Sequence, residues 1–205
     1  MITTLIVLGL IAVGLLLLYA RSVRRRRTFF DRRLREAAKL GWYPAATDPW
    51  LAAVAARLYS PQGTAERMVA GFGIRALDFT YTASSTSTAA KCHVIAYDLP
   101  YALPPLTVGP KNPLVPGQEF ESARFNQQFT VESADPRYAS AVLNPRMMAM
   151  LVDDYNHVSW RIEGRTLVTW GVGYWTKPMV FEAKYLFERI VELIPPFVIE
   201  DYGAR

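Results

Sequence analysis

The chain has 205 residues, 51% of them hydrophobic, 20% charged and 13% aromatic. That length suits one folded domain with an appendage, and so much aromatic content excludes a disordered tail. A single cysteine, Cys92, excludes an intramolecular disulfide framework and any multi-cysteine metal cluster, and two histidines, His93 and His157, leave little for histidine-rich metal chemistry.

The formal net charge of +5 is unevenly placed. Residues 21–40 carry nine basic groups against Asp31 and Glu36, whereas residues 41–205 carry 14 basic groups against 16 acidic ones. The folded part is therefore mildly acidic. Its chemistry gives no reason to expect a nucleic acid as partner, because the basic charge lies in one short segment.

Ile2 to Ala20 reads ITTLIVLGLIAVGLLLLYA, with no charged residue. As a helix it would extend about 28 Å at roughly 1.5 Å per residue, close to the thickness of a bilayer core. Residues 1–20 are therefore expected to form a transmembrane helix. A cleaved signal peptide fits badly, because the positive charges follow the apolar run instead of preceding it. The same asymmetry predicts a single-pass protein of the cell membrane, its N-terminus outside and residues 21–205 in the cytoplasm. Arg21, Arg24, Arg25, Arg26, Arg27, Arg32 and Arg33 are then expected at lipid headgroups, where each basic residue contributes about 1 kcal/mol. Residues 21–40 read as a polybasic segment holding a short amphipathic helix, with Phe30, Leu34 and Ala37 on one stripe and Gly41 as its stop.

Beyond it, residues 41–205 read as one domain. Asp48-Pro49, Asp135-Pro136 and Asn144-Pro145 each pair a capping side chain with a first-turn proline, and so predict three helix starts. Residues 66–83 alternate as a strand, with a parity switch near Arg75 that predicts a bulge or tight turn. The tract Ser84–Thr88 predicts a loop leading to a strand over Lys91–Leu99. Pro100, Pro104 and Pro105 confine Leu106–Val108 to an edge strand at best. Phe125–Val131 alternates as a further strand. His157–Glu163 and Arg165–Gly171 flank Gly164 as a hairpin, and Pro178–Ile194 carries a helical stripe of Met179, Ala183, Leu186, Ile190 and Leu193. The expected architecture is α+β: an antiparallel sheet covered by helices, an arrangement that also permits a pleckstrin-homology-like barrel.

Candidate chemistry is sparse. Gly71-Phe72-Gly73-Ile74-Arg75-Ala76 fits G-x-G-x-x-A, yet the dinucleotide reading needs a helix next and LDFTYTA is a strand pattern, so no cofactor is expected. Cys92 and His93 are neighbours on a strand, which sends their side chains to opposite faces; a buried thiol beside an outward histidine is the expectation. Asp153 and His157 have helical metal-ligand spacing but no third ligand. The carboxylates Asp98, Glu119, Glu121 and Glu163 show no spacing that demands acid–base work. No catalytic or metal-ligating residue is therefore assigned. Trp160, Trp170, Tyr174 and Trp175 cluster around the last hairpin. Core packing is one reading; a partner surface of Trp170, Tyr174 and Trp175 is the other.

The ordered phrases FTYTA, VIAYDLP, LPPLTV, FNQQFTVESADPRYASAVLNPRMMAML and WRIEGRTL, over about residues 79–195, resemble a set of single-pass, membrane-anchored bacterial proteins that share a domain of unknown function. That resemblance implies an anchor and a cytoplasmic domain, and it transfers no catalytic residue. The expected function is a membrane-tethered binding or scaffold domain whose partners are the lipid bilayer and another membrane or cytoplasmic protein. The alternative is a membrane-associated enzyme with an acid–base site not evident in the spacing.

Overall fold

The computed structural model describes residues 2–82 and 88–204, the side chains of 2–12 and 25–27 excepted. The predicted loop at 84–88 thus falls outside the described residues apart from Thr88. The chain forms two compact units, Met1–Tyr43 and Pro44–Arg205.

The first unit is dominated by α1 (Ile2–Ala38), in which the apolar run and the arginine segment form a single helix rather than two. Among the described residues, no helix is long and apolar enough to cross a membrane. This corrects the expected transmembrane helix over residues 1–20, together with the single-pass orientation and cell-membrane location drawn from it. The physical reason lies in the continuity of α1: the apolar run passes without a break into the arginine-rich segment, so the 37-residue helix is not apolar along its length.

The second unit contains β1 (Tyr43–Ala45), α2 (Pro49–Leu58), β2 (Thr64–Gly71), β3 (Ile74–Thr82), β4 (Ala89–Pro110), α3 (Ala123–Gln128), β5 (Phe129–Ser133), α4 (Pro136–Val142), α5 (Pro145–Asp154), β6 (Ser159–Val172), α6 (Lys177–Leu193) and α7 (Pro196–Tyr202). All three predicted Asx-Pro helix starts are present. Asp48 accepts from the Trp50 and Leu51 amides, Asp135 from those of Arg137 and Tyr138, and Asn144 from those of Arg146 and Met147. Each such cap is worth about 1 kcal/mol. Phe125–Gln128 is helical rather than extended, because the Ser122 hydroxyl caps the Phe125 amide at 3.2 Å and starts α3.

The sheet is antiparallel, ordered β1-β2-β3-β4-β5 with β6 paired to β4. Its path is open, so the barrel alternative does not hold. β6 is one run of strand residues, yet the Thr169 hydroxyl donates to the Ser159 carbonyl at 2.7 Å. Extended, those residues would stand about 33 Å apart, so the strand doubles back. It does so at Gly164, whose φ of 61° is the left-handed conformation glycine adopts without steric cost. The predicted hairpin is therefore present. β4 follows it: Cys92–Asp98 pairs with Thr166–Val172, and Leu106–Val108 with Trp160–Ile162. Pro100, Pro104 and Pro105 lie where the register shifts, so their missing N–H groups break no regular ladder. Leu106–Val108 is hydrogen-bonded to β5 and to β6, an interior strand and not the expected edge.

Two helix layers cover the middle of the sheet. On one face Leu51, Val54 and Ala55 of α2 pack on Leu77, Phe79, Cys92, Val94, Ala96 and Val168. On the other, α6 buries Val180, Ala183, Leu186, Phe187 and Ile190. Its stripe is centred on Val180 rather than the expected Met179. The fold is thus α+β, with the sheet enclosed on both sides.

Candidate functional site

Cross-strand partners share a face, and the register Asp78↔His93↔Gly171 places these three residues on the face beneath α6. There a cavity of about 190 Å³ opens between helix and sheet. Ile95, Val158, Met179, Ala183 and Leu186 form its apolar walls, and it gathers both histidines of the chain together with Thr169 and Glu182. His93 is buried, and its Nδ1 lies 2.9 Å from the Gly173 carbonyl. A carbonyl only accepts, so Nδ1 carries the proton. The imidazole lies across Gly171, where a Cβ would sit 2.9 Å from its Cε1. Glycine there is a steric requirement of the ring.

At the rim, His157 Nε2 stands 3.1 Å from Glu182 Oε1, with both side chains substantially exposed. Asp78 is fully buried and accepts the Trp175 amide at 3.1 Å. The sheet's other face differs. Cys92 is buried among hydrocarbon, its thiol donates to the Phe79 carbonyl at 3.2 Å, and burial pushes its pKa up to about 12. Tyr59, at the end of α2, donates its hydroxyl to the His93 and Gly171 carbonyls, and burial pushes its pKa up also.

A second feature stands at the β2–β3 turn. Gly71 pairs with Ile74, leaving Phe72 and Gly73 as a two-residue loop with φ of 51° and 75°. Positive φ at both positions is the turn that favours Asn-Gly, and a phenylalanine at the first is a steric outlier. Among the described residues Phe72 alone has positive φ without being glycine, and it is 72% exposed. The turn beneath it is braced. Arg75 pairs with both Asp48 and Asp98, the Asp98 amide donates to the Gly73 carbonyl at 3.3 Å, and the Tyr97 ring lies beside Gly73. The tight turn expected near Arg75 is this one, and the G-x-G-x-x-A stretch is its hairpin.

The residues singled out from sequence are placed as follows. Arg21, Arg24 and Arg32 are exposed on α1, and Arg33 is half-buried with its guanidinium 5.7 and 5.5 Å from the Phe29 and Phe30 rings. The side chains of Arg25, Arg26 and Arg27 lie outside those described. Trp170, Tyr174 and Trp175 do not form an exposed patch. Trp175 is buried, Trp170 packs against the α2 core, and Tyr174 donates to Glu66 with Lys91 over its ring. Trp160 is wholly buried. His93, expected outward, is enclosed because the sheet is covered on both faces. Asp153 pairs with Arg124, and α5 ends at Asp154, so His157 shares no helix with it. No group of three metal-ligating side chains occurs among the described residues.

Phe72, Asp78 and Glu182 were not picked out from sequence. The signal for Asp78 was a lone carboxylate in an apolar strand; for Phe72 it was a bulky residue between two turn glycines. Glu182 carried none, since one glutamate on an amphipathic helix reads as solvated.

No family model and no curated protein matches the chain. Among solved structures, it is similar to the crystal structure of the mycobacterial trehalose monomycolate transport factor A, TtfA, with a TM-score of 0.54 and 15% identity over 80% of this chain and 96% of that one. At that identity the likeness is one of fold: an α+β unit with an open antiparallel sheet.

Proposed function

We propose that this chain is a binding or scaffold domain that docks on a partner protein through the β2–β3 hairpin tip. The observation that carries this reading is Phe72, an aromatic side chain held exposed on strained backbone. Left-handed backbone costs a non-glycine residue roughly 1–2 kcal/mol, and an exposed phenyl ring forgoes about 1.5–3 kcal/mol of burial. Among the described residues no ring contact of Phe72 offsets either cost, and such strain concentrates where a ligand is clamped or recognised. The Arg75–Asp48–Asp98 brace holds the tip rigid, which reduces the ordering entropy lost when an aromatic anchor enters a socket. The fold neighbour carries the name of a transport factor rather than of an enzyme, which is in keeping with a role in association.

The test is Phe72→Asn, since asparagine tolerates this backbone. The variant should unfold at higher temperature, by about 1 kcal/mol of added stability, while losing the protein that photo-crosslinks to position 72 in native extracts. A variant that is less stable than the parent, or that retains the crosslinked partner, rejects the reading.

A further inference from the structure

We propose that the cavity beneath α6 is a binding site for a small organic ammonium ion with a short apolar body. Its size sets the scale. At about 30 Å³ per liquid water, 190 Å³ corresponds to about six waters, or a ligand of five or six heavy atoms. Ile95, Val158, Met179 and Leu186 suit the hydrocarbon part.

The polar groups choose the head. Glu182 is the one carboxylate among the described lining residues, and no lysine or arginine joins it. Thr169, a lining residue, gives its proton to the Ser159 carbonyl at 2.7 Å, so its hydroxyl has only acceptor capacity left. Asp78, the cross-strand neighbour of both His93 and Arg67, accepts the Trp175 amide and is not among the residues lining the cavity. An ammonium brings three donors and a positive charge to a lining that offers acceptors and one carboxylate. A carboxylate ligand would meet Glu182 without a fixed cation. His157 occupies Glu182 at 3.1 Å and so acts as the competitor that an entering ammonium displaces.

The experiment titrates the full chain with n-butylammonium, n-butanol, butyrate and Nα-acetyl-lysinamide, followed by amide NMR. Butylammonium should shift resonances around residues 93, 157, 169 and 182 to saturation, with butanol about tenfold weaker and butyrate not saturating. Glu182→Gln should weaken butylammonium about tenfold without moving the thermal transition, since Glu182 lies at the rim; His157→Ala should tighten it. Tighter binding of the capped lysine than of butylammonium would identify a protein lysine as the source of the ammonium, and weaker binding a free amine. Butyrate or butanol binding as tightly, an unaffected Glu182→Gln variant, or no shifts at the cavity would overturn the proposal. Phe72→Asn should bind butylammonium like the parent, so failure at the hairpin and failure at the cavity are read separately.

Discussion

The two faces of one sheet in this protein follow different rules. Beneath α2, Leu77 and Phe79 of β3 and Cys92, Val94 and Ala96 of β4 pack into an apolar cluster, and the thiol of Cys92 is matched locally by a backbone carbonyl. Beneath α6, the intervening residues of the same strands include Asp78 and His93, both buried, beside a cavity with a charged rim. A period-two strand sends its side chains alternately to the two layers, so a single β-strand can serve a dry core and a polar site at once. The dry face supplies stability, because burial is worth roughly 25 cal/mol per Å² of apolar surface whatever the partner. The polar face needs matched hydrogen bonds, each specific in direction, and it holds its groups in fixed positions.

The largest expected effect tests the dry face. Phe79 is almost wholly buried there, stacked near Tyr59 and standing over Gly63, where any Cβ would strike its ring. Phe79→Ala should cost about 3–5 kcal/mol in denaturant unfolding, since the pocket has little freedom to collapse. A loss under about 1 kcal/mol would show that this face is not the principal core.

How much of this contrast was legible in the sequence depends on which face is considered. Alternation in Lys91–Leu99 identified Cys92, Val94 and Ala96 as one buried side, since apolar periodicity needs no knowledge of the partner layer. The same alternation made His93 appear outward, because a lone strand does not disclose that a second layer lies opposite. Gly164 was readable as a turn from its neighbours' pattern, and the three Asx-Pro caps from local hydrogen-bond chemistry alone. The six-residue helix after Ser122 is hidden because Phe125-Asn126-Gln127-Gln128-Phe129 satisfies both periods over so short a run. The pairing of Leu106–Val108 on both sides was hidden by prolines whose cost vanishes at a register shift. Phe72, Asp78 and Glu182 come together as sites only through tertiary structure: backbone sign, burial and a facing helix.

The next effect separates the faces by pH. Burial raises the Cys92 pKa from the usual value near 9 to about 12 in the folded chain. Between those values the unfolded chain has lost a proton that the native chain keeps, so stability falls as pH rises. The Cys92 contribution is intact below about pH 9 and is lost progressively as pH rises toward 12. Tyr59, raised in the same direction, steepens the fall. Cys92→Ala should be slightly less stable at neutral pH, by about 1 kcal/mol, yet lose less stability on alkaline titration. Parallel curves for parent and variant from pH 8 to 11 would mean that the thiol titrates equally in both states.

The smallest effect is the most informative about the polar face. Gly171→Ala adds one methyl group, at a backbone position with no left-handed strain, yet that carbon would stand 2.9 Å from His93 Cε1 and 3.2 Å from its Nε2. The imidazole must move, and its 2.9 Å link to the Gly173 carbonyl then lengthens. The expected cost is about 1–3 kcal/mol, as for other overpacked interiors. If the cost arises from the ring and not from the strand, removing the ring should abolish most of it. His93→Ala in the Gly171→Ala background should therefore be less destabilising than the two single changes added together, with a coupling of about 1 kcal/mol. Denaturant unfolding of the four proteins measures this. Strict additivity would mean that the ring does not rest on Gly171, and the cavity floor would then lose the group that positions His93.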